Sequence, residues 1–94
     1  DIQDEAGKDL AKALGASAAY CRCDVSKAAE VEALVEFAIG HFGRLDIMFN
    51  NAGVTGDMKP VDFLEEEFDD FGKVMAVDLL GVMLGCKYAG KVMA

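Results

Sequence analysis

The sequence predicts an α/β fold in which helices cover an open parallel sheet, and two observations support this. Helical and strand-like segments alternate along the 94 residues as helix, strand, helix, strand, helix. Right-handed crossovers build this order into a parallel sheet. In addition, the mostly apolar run 45–49 leads directly into Asn50-Asn51-Ala52-Gly53, and open parallel sheets bind ligands just beyond the carboxyl ends of their strands.

The first half of the chain contains two predicted helices around one predicted strand. Residues 3–14 carry small and apolar residues on one face and stop at Gly15, a typical helix end. A short apolar strand is predicted over 18–23. Ser26 is expected to cap the second helix, whose apolar residues recur at helical spacing until Gly43 ends it. The predicted buried stripe consists of Val31, Leu34, Val35, Ala38, Ile39 and Phe42.

The second predicted strand, 45–49, ends at the Asn-Asn-Ala-Gly run. The Asn side chains can link neighbouring strand ends, because each amide carries both donors and an acceptor. Ala52 and Gly53 leave room for a flat ligand to approach the backbone. A plain turn is the alternative interpretation, since Asn and Gly favour turns wherever they occur.

A long helix is predicted from about 65 to 94, with Phe68 and Phe71 facing inward near its start. The stretch 74–86 is apolar on almost every side, which is typical of a helix buried all round. We expect one side of it to contact another subunit or a part of the domain outside these residues. Two strands do not make a stable sheet, so the domain is expected to have lost strands. The absent initiator Met and the apolar helical pattern that stops uncapped at Ala94 lead us to expect truncation at both ends.

Composition and charge exclude several classes of function. With 53% hydrophobic residues and one proline, the chain is expected to be globular rather than disordered. Its net charge of −8 argues against binding nucleic acid, which needs clustered cations, and against docking on an anionic membrane surface. No stretch reaches the roughly 18 apolar residues of a membrane span, and the acidic start differs from a targeting peptide.

The three cysteines predict neither a metal site nor a disulfide. Cys21 and Cys23 alternate along a predicted strand and Cys86 lies in a predicted helix. A single Cys-x-Cys pair with one distant His is poor spacing for zinc. Small buried thiols in a reducing compartment explain them better, so a cytoplasmic location and no metal are expected.

Several motifs together match a known family. They are Asp1-Ile2, Cys23-Asp24-Val25, the run 43–53 with its Asn-Asn-Ala-Gly motif, and the segment 71–93. In this combination the chain resembles the middle of a short-chain dehydrogenase/reductase, close to the plant-type members that oxidise alcohols of secondary metabolism. The resemblance implies a partial Rossmann-like, doubly wound parallel sheet, with about two strands and three helices present. Residues 1–94 would be the central part of a single NAD(P)-binding domain.

The resemblance also implies a cofactor site. The residues that it assigns to the cofactor are Asp1, Asp24, Val25, Asn51, Ala52 and Gly53. Asp1 falls where the family's acid accepts hydrogen bonds from the adenosine ribose. NAD is therefore expected rather than NADP, because a carboxylate repels a 2′-phosphate and the next basic residue is Lys8. Asp24 and Val25 match the pair along the adenine, and residues 51–53 match the segment facing a ribose. The alternatives are a solvated end for Asp1 and a helix-start acid for Asp24.

Asp78 departs from the family pattern. The family usually has Asn there, which holds a water that relays protons towards a catalytic Lys and Tyr. Asp78 is the candidate catalytic residue of this chain, although no residue three or four positions away on its helix can pair with it. A polar residue at a helix kink is the alternative interpretation.

The resemblance implies an enzyme whose other catalytic parts lie outside these residues. The family's glycine-rich loop precedes the position of Asp1, and its Ser and Tyr-x-x-x-Lys follow that of Ala94. Tyr88 and Lys91 have the wrong spacing for that pair and are expected to flank a subunit contact. The implied function is hydride transfer between NAD and a secondary alcohol or ketone by a homo-oligomer that pairs through helix 65–94. A catalytically inactive dimerisation or cofactor-binding module is the alternative.

Overall fold

The computed structural model describes residues 1–94 as helices joined by irregular segments. The helices are α1 (Asp4–Leu14), α2 (Ala28–Phe42), a short 3-10 helix (Phe63–Glu65), α3 (Phe71–Met75), a π-helical turn (Ala76–Leu80) and α4 (Gly81–Met93). The last three are continuous and together form one long helix. None of the helices combines the length and the apolar character needed to cross a membrane.

The first two helices confirm the predicted ones, but not the predicted cap. Gly43 ends α2 in the left-handed conformation, with φ of 84°, and its amide donates to the Ile39 carbonyl. The cap predicted at Ser26 is wrong, because α2 begins after Lys27 without a side-chain cap. The Ser26 hydroxyl instead donates to Asp24 Oδ1 at 2.7 Å. A carboxylate is the stronger acceptor and draws the hydroxyl away from the helix.

The two predicted strands are not formed, and the predicted sheet is therefore absent from these 94 residues. Segments 18–23 and 45–49 are irregular, and a single backbone hydrogen bond, from Cys23 N to the Asp1 carbonyl at 3.1 Å, joins the first of them to the start of the chain. A strand needs a neighbouring strand to complete its ladder. By the family resemblance the segments are strands three and four, and the Rossmann order 3-2-1-4-5-6 places two other strands between them.

The third predicted helix begins later than expected. It starts at Phe71 rather than at about residue 65, because Phe68 has a φ of 55°, which a right-handed helix does not accommodate. Phe68 and Phe71 are 50% and 60% exposed, so the prediction that they face inward is wrong for this structure. The π turn then widens the helix around Asp78, a distortion that often marks a functional site.

The core lies between α2 and α4. Cys23, Val31 and Leu84 form its buried cluster, and Tyr88 packs against it. The predicted stripe of α2 is only partly buried: Val31 and Val35 are buried, Leu34, Ala38 and Ile39 are half-buried, and Phe42 is exposed. All three thiols are free, but only Cys23 is buried. The expectation of a buried thiol is wrong for Cys86, which is exposed on α4.

Candidate functional site

A cleft of about 770 Å³, here called the main cleft, lies between the irregular segments and the long helix. Its volume lies within the range of small-molecule sites, about 300–1,000 Å³. All six residues that the sequence assigns to a cofactor line it: Asp1, Asp24, Val25, Asn51, Ala52 and Gly53. The fold thus brings together residues from three separate segments of the chain.

Asp1 occupies one end of the main cleft and is fixed through its backbone. Its carbonyl accepts hydrogen bonds from the Tyr20 hydroxyl at 2.8 Å and from Cys23 N at 3.1 Å. Its carboxylate oxygen Oδ1 accepts from Gln3 N at 2.9 Å. Asp1 is exposed, so the second carboxylate oxygen is available to a ligand.

Asp24 and Val25 form another part of the wall. The Ser26 hydroxyl and the Ser26 amide, at 2.7 and 3.0 Å from Asp24 Oδ1, hold the pKa of this carboxyl below its usual value. Lys27 is too distant, at 3.9 Å, to add more than a weak contact. The backbone amide of Asp24 donates to Glu30 Oε2 at 2.7 Å, which ties this wall to the first turn of α2. Asp24 is therefore a fixed, charged acceptor at neutral pH.

The Asn-Asn-Ala-Gly run forms the rim of the main cleft. Asn50 Nδ2 donates to Cys86 Sγ on α4 at 3.8 Å, and Gly85 leaves the space that the Asn50 side chain fills. The strand ends that these amides are expected to link lie outside these residues, so that link stays a prediction. Asn51, Ala52 and Gly53 are exposed, and a Cβ at Gly53 would meet only Asp78, at 3.5 Å.

Asp78 does not lie in the main cleft but in an adjoining side cavity of about 860 Å³. The two cavities share Gly53, Val54 and Lys73. Asp78 is exposed, and its Oδ1 accepts a hydrogen bond from Val54 N at 2.8 Å. The partner that its own helix lacks is thus supplied by the loop after the Asn-Asn-Ala-Gly run.

Two cations near the site are not among the residues predicted from the sequence. Lys73 lines both cavities, and its helical spacing from Ala76 and Val77 could have predicted this. Arg22 Nη1 donates to the Ile2 carbonyl at 2.8 Å, although the sequence pointed to Lys8 as the nearest base. No local pattern brings Arg22 there, since the contact depends on how distant segments pack.

Tyr88 and Lys91 lie away from both cavities. The Lys91 ammonium is 5.1 Å from the centre of the Tyr88 ring, and that ring packs against the core. Their contact is a cation–π pair on α4.

A family model described as enoyl-(acyl carrier protein) reductase matches residues 1–94. Among solved structures, a short chain dehydrogenase/reductase from Burkholderia phymatum in complex with NAD superimposes with a TM-score of 0.86 and 31% identity. The match covers 99% of this chain and 33% of that one. The chain belongs to the short-chain dehydrogenase/reductase family. The backbone likeness assigns a Rossmann-type fold to these short-chain dehydrogenase/reductase residues, although no sheet forms within them.

Several curated relatives of this family member are plant proteins. Tropinone reductase-like 2 from Erythroxylum coca is 49% identical over 94 residues, which are 99% of this chain and 34% of the relative. Momilactone A synthase from Oryza sativa subsp. japonica is 48% identical over 97 residues, covering 100% of this chain and 34% of that protein. (+)-Borneol dehydrogenase 2 from Salvia officinalis is 41% identical over 95 residues, covering 99% and 33%. The chain spans about a third of the length of these relatives.

Proposed function

We propose that residues 1–94 are the central part of an NAD-dependent oxidoreductase that transfers a hydride between the cofactor and a secondary alcohol or ketone. The observation that carries the proposal is that the six residues assigned to the cofactor from sequence line one cleft of suitable size. The NAD complex of the Burkholderia phymatum relative and the reductase and dehydrogenase names of the plant relatives support it.

Each wall of the main cleft offers chemistry that suits a part of NAD. The fixed, exposed carboxylate of Asp1 is suited to accept from the adenosine ribose hydroxyls and to repel a 2′-phosphate. Asp24 is a charged acceptor for the exocyclic amine of adenine, and Val25 offers an apolar surface to the ring. Bound NAD would supply the hydride acceptor or donor, whereas these residues hold and orient it.

Gly53 gives an independent reason to place a ligand at the rim. Its φ is not in the left-handed region, so the backbone does not require glycine there. Its protein neighbours do not require glycine either, because the nearest atom to an added Cβ is 3.5 Å away, an ordinary contact distance. Within these residues nothing requires the side chain to be absent, which supports a ligand that approaches the backbone closely at Gly53.

Asp78 is assigned a positioning role in the proposed reaction. Its carboxylate holds the loop at Val54, while the π turn distorts the backbone around it. Under the proposal, that distorted backbone binds the water that relays protons towards catalytic groups outside these residues. The carboxylate itself would act through the loop and the water.

The long helix is proposed to pair with a second copy. Apolar side chains are exposed along it, including Leu79 at 50% and Met83 at 59%, and burying such a patch favours association. A cytoplasmic location stays a prediction.

The test compares two glycine-to-alanine variants of the complete protein. Gly53→Ala is expected to weaken NAD binding at least tenfold without lowering the melting temperature. Gly40→Ala, on the open side of α2 where an added Cβ meets nothing within 4 Å, is the matched control and should leave the Kd for NAD unchanged. Equal NAD affinities for both variants would contradict the proposed site. NAD binding without turnover of any secondary alcohol would instead favour an inactive cofactor-binding module.

A further inference from the structure

A cluster of three side chains, Asp4, Tyr20 and Arg22, lies directly behind Asp1. Asp4 Oδ1 accepts from the Tyr20 hydroxyl at 2.7 Å, and Asp4 Oδ2 lies 3.1 Å from Arg22 Nη1. The Tyr20 hydroxyl is also 2.8 Å from the Asp1 carbonyl, and Arg22 Nη1 is 2.8 Å from the Ile2 carbonyl. Asp4 thus binds both partners, and each partner binds the backbone of the segment that carries Asp1.

The packing of α1 fits this cluster. The Tyr20 ring lies against Gly7, and a Cβ at that position would overlap with the ring. Gly7 costs α1 about 1 kcal/mol relative to alanine in a helix interior, and the space it leaves is filled by Tyr20. The ring is therefore held where its hydroxyl reaches both Asp1 and Asp4.

The charges of the cluster are stable across the physiological range. The Tyr20 hydrogen bond, and after it the Arg22 charge, keep the pKa of the Asp4 carboxyl below its usual value. Burial and the Asp4 hydrogen bond raise the pKa of Tyr20 to about 12. Asp4 therefore stays an anion and Tyr20 a hydrogen-bond donor at neutral pH.

Arg22 is the residue whose position matters most for the choice of cofactor. A guanidinium near the adenosine ribose is the usual partner of a 2′-phosphate, because its planar donors match the phosphate oxygens. Here the Arg22 guanidinium donates to the backbone carbonyl of Ile2, the residue next to Asp1. The same guanidinium is also bound to Asp4. Asp4 therefore disfavours NADP indirectly, because it holds the Arg22 guanidinium. Asp1 disfavours NADP directly, because its carboxylate repels the 2′-phosphate.

We propose that Asp4 and Tyr20 determine cofactor specificity: Tyr20 holds Asp1 in the position that suits the ribose of NAD, and Asp4 keeps Arg22 away from a 2′-phosphate. This inference rests on the proposed function, since it presumes that Asp1 meets the adenosine ribose. Both residues are positioning residues, because neither lines the main cleft.

The experiment measures the Kd of NAD and of NADP for variants of the complete protein by titration calorimetry. Tyr20→Phe keeps the ring over Gly7 and removes the hydroxyl that the Asp1 carbonyl and Asp4 Oδ1 share, so the Kd for NAD should rise about fivefold. Asp4→Asn keeps the shape but releases the charge on Arg22; because this ion pair is partly exposed, the Kd for NADP should fall about two- to fivefold. Adding Arg22→Ala to Asp4→Asn should abolish that gain. Tyr88→Phe is the matched control, since the Tyr88 hydroxyl makes no hydrogen bond in the structure.

The outcomes separate this inference from the proposed function. If the unmodified protein binds NAD and loses it on Asp1→Ser, but both cluster variants keep the NAD-to-NADP affinity ratio within twofold, the inference is wrong and the proposed function stands. If the unmodified protein binds neither dinucleotide, the proposed function itself fails. A gain in NADP affinity that persists after Arg22→Ala would also overturn the role given to Arg22. Tyr20→Phe decides the matter alone if Asp4→Asn does not fold.

Discussion

Gly81 lies at the start of α4, where it lines the main cleft beside Val25, and Gly81→Ala is predicted to weaken cofactor binding. A Cβ at Gly81 would lie 2.8 Å from Val25 Cγ2 and 3.4 Å from the Val25 carbonyl oxygen. Carbon atoms prefer about 3.5–4.0 Å, so Val25 must withdraw by about 0.7–1.2 Å. Overpacking of this kind costs about 1–3 kcal/mol, whereas alanine stabilises a helix by about 1 kcal/mol over glycine. The net loss of stability is then only about 0–2 kcal/mol.

The displacement of Val25 also affects the ligand, because Val25 lines the main cleft. A loss of about 1–2 kcal/mol in binding corresponds to about a 5- to 30-fold rise in Kd. Calorimetric titration of NAD into the complete Gly81→Ala protein, alongside its thermal unfolding, measures both quantities. Gly40→Ala makes the same chemical change on α2 with no neighbour within 4 Å of the added atom and serves as the control. An unchanged Kd with a lowered melting temperature would refute the reasoning, since it would mean that the core and not the cleft absorbs the methyl group.

Three further predictions concern the core, the charges and the π turn. Val31 is 1% exposed, so Val31→Ala should lower the free energy of unfolding by about 2–3 kcal/mol in urea titrations. The folded state holds the pKa of Asp24 below the usual 3.8. The contribution of the Asp24 carboxylate to the free energy of unfolding is therefore full above pH 3.8 and is lost as the pH falls through the lowered pKa. Asp24→Asn should flatten the acid side of the curve of unfolding free energy against pH. Asp78→Asn keeps an acceptor for Val54 N but removes the negative charge beside the proposed relay water, so it should leave the Kd for NAD unchanged and raise the turnover number of the proposed reaction. An unchanged turnover number would make Asp78 a kink residue only.

The parts of the fold that could be predicted are those that depend on neighbours in sequence. The apolar spacing of α2 and the glycine that ends it at position 43 are local signals, and the helix and its end at Gly43 are both confirmed. Strand pairing is not local: the segments 18–23 and 45–49 have strand-like composition, but the partners that would make them strands lie elsewhere. The late start of α3 depends on the backbone at Phe68, which composition does not reveal.

The candidate site divides in the same way. The six cofactor residues that line the main cleft could be predicted from motifs. A family motif marks positions that the fold brings together even when they lie far apart in sequence. Arg22 belongs to no motif, and its contact with Ile2 spans 20 positions of sequence. Asp78 was predictable in part. Its departure from the family pattern is visible in the sequence, whereas its hydrogen-bond partner Val54, 24 positions away, is not.

The loop 53–57 borders both cavities and is tied to two carboxylates, Asp78 in the long helix and Asp70 at its N-terminal cap. Asp78 accepts from Val54 N, and Asp70 accepts from Asp57 N, so the loop is held at both ends. Between them Gly56 approaches the helix so closely that a Cβ there would lie 2.8 Å from Asp70 Oδ2. Since Gly53 and Val54 border both cavities, a shift of this loop changes both at once. The position of the long helix, and with it any contact that the helix makes with a second copy, therefore sets the shape of the rim to which the proposed cofactor binds.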